Sequence, residues 1–123
     1  MNSLARMFTL LLLAVILPTQ AAQSPIIFNG GITLDEREAA PTGGTKLEFF
    51  VASGNFLSDV AVTIKDSSGR VIANTRAEGP WLIVDLSPGT YQVIATRGNG
   101  DAQSAVIETS GDGEKFSFMF PAE

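Results

Sequence analysis

From Thr45 to Phe120 the sequence repeats one device: a short run with an apolar residue at every second position, then a cluster of Gly, Asp, Asn or Ser. Successive side chains of a strand point to opposite faces, so this period of two builds an apolar face that must be covered by a second layer. No segment there keeps the 3.6-residue period of a helix. "TKLEFFVA" (Thr45 to Ala52) places Leu47, Phe49 and Val51 on one face, and "SDVAVTIKD" (Ser58 to Asp66) does the same with Val60, Val62 and Ile64. "DSSG" (Asp66 to Gly69) is a tight turn, because Asp bonds backbone two residues on and Gly accepts a positive φ. It predicts a hairpin with "RVIANTR".

After "AEGP" comes "WLIVDL" (Trp81 to Leu86), then "SPG". Pro88 presets φ and Gly89 is expected to take the positive φ of a type II turn. Tyr91, Val93 and Ala95 then share the inward face of the next strand. "GNGD" (Gly98 to Asp101) and "SGDG" (Ser110 to Gly113) bracket "AQSAVIET" and read as ordinary hairpin turns. The final run, "KFSFMF", puts Phe116, Phe118 and Phe120 on one side and Lys115, Ser117 and Met119 on the other. Seven short strands of this kind predict an all-β, antiparallel Ig-like or prealbumin-like β-sandwich occupying residues 45–123.

Residues 23–44 break the pattern and read as an N-terminal arm. Within it, Thr33 or Asp35 can cap one or two helical turns through Ala40, ended by Pro41 and Gly43. Residues 1–22 read as a signal peptide: Arg6 precedes an apolar run from Met7 to Leu17, and Pro18 and small residues lead to a cleavage point after Ala21 or Ala22. That run, about 11 residues, is well short of the roughly 20 that span a bilayer, so no stable membrane anchor is expected after cleavage. Loss of Arg6 leaves one basic residue fewer than the 8 of the whole chain, against 13 acidic ones, taking the formal charge from −5 to −6. An acidic surface disfavours nucleic acid and anionic membrane. The expected location is secreted, in the periplasm. With no cysteine in the chain, the domain relies on its core alone.

The order of these pieces in "VAVTIKDSSGRVIANTRAEGPWLIVDLSPGTYQVIAT", Val60 to Thr96, resembles the carboxypeptidase regulatory-like domain, a prealbumin-like (transthyretin-like) seven-stranded sandwich. The carriers are the valine-rich strand before "DSSGRVI", the "EGPW" link and the Leu, Pro-Gly, Tyr sequence of "LSPGTYQVIAT". With "NGGITLDEREAA" ahead of the sandwich, the chain is similar to small, secreted, stand-alone bacterial members. The resemblance implies an accessory, stabilising or interaction module, as on peptidases, outer-membrane receptors and surface proteins, with no catalytic residue and no cofactor. Related surface-protein sandwiches form a Lys-Asn cross-link in the core; here Lys46 alternates away from Leu47, Phe49 and Val51, and "KFSFMF" has no Asn.

The composition narrows the chemistry further. With neither His nor Cys, the chain has no Ser-His or Cys-His pair, and a zinc site would need carboxylates alone. Asp35, Glu36 and Glu38 could pair for acid-base work, but on a short arm beside Arg37 they read as a solvated face. Asn99, Asp101, Asp112 and Glu114 carry oxygen ligands without the spacing of a calcium loop. No metal site and no catalytic residue is therefore assigned.

What stands out is a second apolar face. Phe50 alternates with Leu47 and Phe49, and Trp81 and Ile83 alternate with Leu82, Val84 and Leu86, so Phe50, Trp81 and Ile83 point away from the core. Either the apolar arm, with Ile26, Ile27, Phe28 and Ile32, folds over them, or they form a partner surface. The expected function is a non-enzymatic module that binds another envelope protein through Phe50, Trp81 and Ile83. The alternative is a carbohydrate-binding module, for which a single tryptophan and an inward tyrosine make a poor stacking platform.

Overall fold

Residues 25–122 are described by a computed structural model, in which the alternating runs pair into two four-stranded sheets packed face to face. The expected signal peptide lies outside the described residues. In sheet I the order is β1 (Ile26–Gly30), β5 (Trp81–Val84), β2 (Gly44–Val51), β8 (Asp112–Phe120). In sheet II it is β4 (Val71–Ala77), β3 (Val60–Asp66), β6 (Gly89–Thr96), β7 (Ala102–Thr109). Among the described residues no helix is long and apolar enough to cross a membrane.

The fold is the expected all-β sandwich, with eight strands rather than seven. The extra strand is β1, which the arm contributes by pairing antiparallel with β5. All neighbours are antiparallel except β2 and β8, which run parallel with Leu47 opposite Phe116 and Phe49 opposite Phe118. The alternation explains the core: Leu47, Phe49, Val51, Val60, Val62, Ile64, Tyr91, Val93 and Ala95 are all buried. Phe118 and Phe120 join them, while Phe116 is only partly buried. The Phe49 and Phe118 rings lie 5.5 Å apart at their centroids. Each fully buried side chain of this size contributes roughly 1.5–3 kcal/mol, and with no disulfide this burial carries the domain.

Two turns differ from expectation. Gly89 has φ of 158°, close to extended, so it opens β6 instead of filling the left-handed position of a type II turn. The reversal is held by the Tyr91 hydroxyl, which donates to the Ser87 carbonyl at 2.7 Å. This is the tyrosine corner of β-sandwiches, where a phenol ties a strand start to the connection before it. "SGDG" is not a hairpin turn either, because β7 and β8 belong to different sheets. There Gly111 has φ of 88° and its α-carbon faces the Leu86 carbonyl so closely that a β-carbon would collide with it.

That crossing is built around one hydroxyl. Thr109 donates to the Glu114 carboxylate at 2.8 Å and accepts from the Gly111 amide at 2.9 Å. Because the Thr109 proton is engaged by an acceptor-only group, the buried Thr45 hydroxyl, 2.8 Å away, must donate to Thr109. The Ser110 amide and the Thr109 hydroxyl hold the Glu114 carboxyl below its ordinary pKa. The network thus ties β2, β7 and β8 together where the chain passes between sheets.

Candidate functional site

The outer face of sheet I is divided between a part the arm covers and a part it leaves open. Helix α1 (Leu34–Ala39) follows β1 and is capped by Thr33, whose hydroxyl accepts the Glu36 amide at 3.1 Å. Glu36 reaches back to accept the Gly31 and Ile32 amides at 2.9 and 3.0 Å, a capping-box variant shifted toward the preceding strand. Arg37 donates to the Gly31 carbonyl at 2.7 Å. Asn29 clasps the connection between β4 and β5, donating to the Arg76 carbonyl and accepting from the Glu78 amide. At the same junction Gly79 sits against the Gly30 carbonyl with no room for a β-carbon. These contacts fix the arm alongside β5.

The three residues expected at a partner surface therefore fare differently. Ile83 is only 1% exposed, because β5 lies between β1 and β2; methyls of Ile27 and Ile83 close together over Gly44. It has no surface to offer a partner, which corrects its place in the expected contact set. Trp81 is half-buried, packed at its root against Gly31. Its indole N–H donates to Glu48 at 3.0 Å, and the Lys46 ammonium sits 3.6 Å from the ring centroid. Glu48 also receives Ser117 at 3.3 Å and Lys115 at 3.6 Å. Phe50 is half-buried and bridges to Phe56 in the loop after β2.

Beyond β5 the outer sides of β2 and β8 lie side by side. Register pairs Lys46 with Lys115, Glu48 with Ser117, and Phe50 with Met119. Met119 is 51% and Phe56 48% exposed, and the Arg37 guanidinium lies 5.1 Å over the Phe56 ring. At the charged end, Arg37, Lys46, Lys115 and Trp81 line a cleft of about 280 Å³, with Glu38 and Glu114 also on its wall. Phe56, Met119, Arg37 and Lys115 were not singled out from sequence as site residues. The outward alternation of "KFSFMF" was a signal for Met119 and Lys115; the loop position of Phe56 gave none.

The polar turns are internally satisfied. Asn99 and Asp101 bond each other, and Arg97 lies 3.7 Å from Asp101. Among the described residues no group of three or more acidic side chains is placed to hold a metal ion. The ring of Trp81, faced by Lys46 on one side, is an incomplete platform for a sugar. What the face can do is bind by shape, apolar contact and charge. No protein-family model matches the chain, and no curated protein matches it either.

Proposed function

We propose that the mature chain is a non-enzymatic module of the bacterial envelope, exported by its signal peptide to the periplasm, that binds another protein through the outer face of β2 and β8. The observation that carries this reading is the half-covered sheet. The arm closes off Ile83 of β5 but leaves Phe50, Met119, Phe56 and Trp81 partly open. Aromatic and Met side chains beside a charged rim are typical anchors of protein interfaces. The "LSPGTYQVIAT" turn and the order of strands around it support membership of the carboxypeptidase regulatory-like group, whose accessory role fits.

The test is cross-linking in the native envelope, comparing wild type with Met119→Arg and Trp81→Ala variants whose folding is verified by far-UV circular dichroism. A specific cross-linked protein formed by wild type and lost in both variants supports the reading. Equal cross-linking by all three removes this face from the function. Saturable quenching of Trp81 fluorescence by a neutral polysaccharide would replace the reading with a carbohydrate-binding one.

A further inference from the structure

Resting on that reading, we infer that the open face accepts an extended acidic segment of the partner, with a carboxylate at the Lys46 end and an apolar side chain at the Phe50 end. The first support is charge. Three of the seven basic residues that follow Arg6 line the one cleft, in a chain that is otherwise acidic. Four of those seven are matched: Arg70, Arg76, Arg97 and Lys115 each have a carboxylate within 4 Å. Among the described residues Arg37, Lys46 and Lys65 do not, and the first two of these line the cleft. Arg37 is held by backbone carbonyls and lies over Phe56, and Lys46 lies over Trp81. The opposing carboxylates are engaged at least in part: Glu114 by Thr109 and Ser110, Glu48 by Trp81, Ser117 and Lys115. The side chains lining the cleft carry three positive charges against the two negative ones of Glu38 and Glu114, an excess of one, with the Glu48 carboxylate beside it paired to Lys115.

The second support is the order of chemistry along the strands. From Lys46 and Lys115, through Glu48 and Ser117, to Phe50 and Met119, the outer face passes from cationic to polar to apolar. Residues 46 and 50 are four strand steps apart, about 13 Å at roughly 3.3 Å per residue. An extended peptide has the same rise and the same alternation, so its residues i, i+2 and i+4 face the sheet together. The matching ligand carries Asp or Glu at one end of that triplet, a hydroxyl or small residue in the middle, and Leu, Met or Phe at the other. A polyanionic glycan would match the cations but not the Phe50, Phe56 and Met119 end.

Trp81 is the only tryptophan in the chain and adjoins Lys46, so it reports occupancy directly. The mature protein is titrated with acetyl-Glu-Ala-Ser-Ala-Leu-amide and with its reversed sequence, since either strand direction satisfies the spacing. Controls are the same peptides with Lys in place of Glu, and trigalacturonate. One Glu peptide is expected to change Trp81 emission saturably below about 1 mM. Binding weakens about tenfold in Lys46→Glu, where a like charge meets the ligand, and also in Met119→Arg. It weakens as ionic strength rises from about 0.05 to about 0.5 M. Far-UV circular dichroism confirms that both variants are folded, and Lys46→Met, which keeps the stem without the charge, is expected to lose binding too.

Lys peptides binding as well as Glu peptides, or no saturable change with either orientation, overturns the inference. So does trigalacturonate binding more tightly than both peptides. If these results appear while the envelope cross-link persists in wild type and is lost in Met119→Arg, only the acidic-segment assignment fails. If the cross-link is also insensitive to the variants, the protein-binding reading fails with it.

Discussion

The hydroxyl network at the sheet crossing makes an asymmetric prediction about two threonines in direct contact. Thr109→Val removes the acceptor of the Thr45 hydroxyl, which is 0% exposed, and of the Gly111 amide, and also the donor to Glu114. A buried polar group left without a partner costs about 1–3 kcal/mol, and two are orphaned here, one of them only part-buried. The expected loss is about 3 kcal/mol. Thr45→Val removes only a donor, because Thr109 keeps its bonds to Glu114 and Gly111, so its cost is about 1 kcal/mol. In the double variant no Thr45 hydroxyl remains to be orphaned, and the total is expected near 2 kcal/mol, below that of Thr109→Val alone. Urea unfolding followed by Trp81 emission measures all three, with an unchanged slope of about 1 kcal/mol/M or somewhat more. The midpoint of Thr109→Val should fall by about 2–3 M. If Thr45→Val costs as much as Thr109→Val, or the two losses simply add, the assigned proton direction is wrong.

Acid should weaken the fold through Glu114 and Asp66. The Ser68 hydroxyl and the Arg70 amide hold Asp66 below its ordinary pKa, as Ser110 and Thr109 do Glu114. Lowered native values mean the unfolded chain takes up protons first, so their stabilisation is complete above about pH 4.5 and drains as pH falls through the native values. Urea midpoints between about pH 7 and pH 3 should drop less steeply in Glu114→Gln and Asp66→Asn than in wild type. Gly79→Ala drives a β-carbon into the Gly30 carbonyl, and an expected loss of about 3 kcal/mol should come with red-shifted Trp81 emission as the arm is displaced. Tyr91→Phe removes the single bond to Ser87 and is expected to cost about 1 kcal/mol, read as a shift of the thermal midpoint.

Seven strands were legible because their partners' identity does not matter to the pattern: Val60, Val62 and Ile64 must be buried whichever sheet covers them. β1 was not, since "IIFNG" is a short apolar run without alternation whose partner, β5, lies more than fifty residues on. The same cause misplaced Ile83. A strand flanked on both sides and covered on both faces reads as a continuous apolar run, and "LIV" at 82–84 is one, whereas alternation assigns Ile83 outward. Phe50 and Trp81 were placed correctly as outward residues. Their neighbours on the face come from β8 and the arm through pairings that local sequence does not encode. Phe56 owes its place beside Phe50 to a loop folding back on β2, which no periodicity announces.

The parallel pairing of β2 with β8 also has a kinetic meaning. Sheet II draws on two hairpins, β3 with β4 and β6 with β7, each closed by a short turn. Sheet I brings Glu48 to Ser117, 69 residues away, and non-local pairings form late because loop closure must come first. Sheet II is thus the natural nucleus, and sheet I closes around it once β8 is available. Until then the inner side of β2 has no neighbour on its β8 edge, and the outer face carrying Lys46 and Phe50 does not yet exist as a surface. Recognition through that face would then distinguish finished molecules from those still folding.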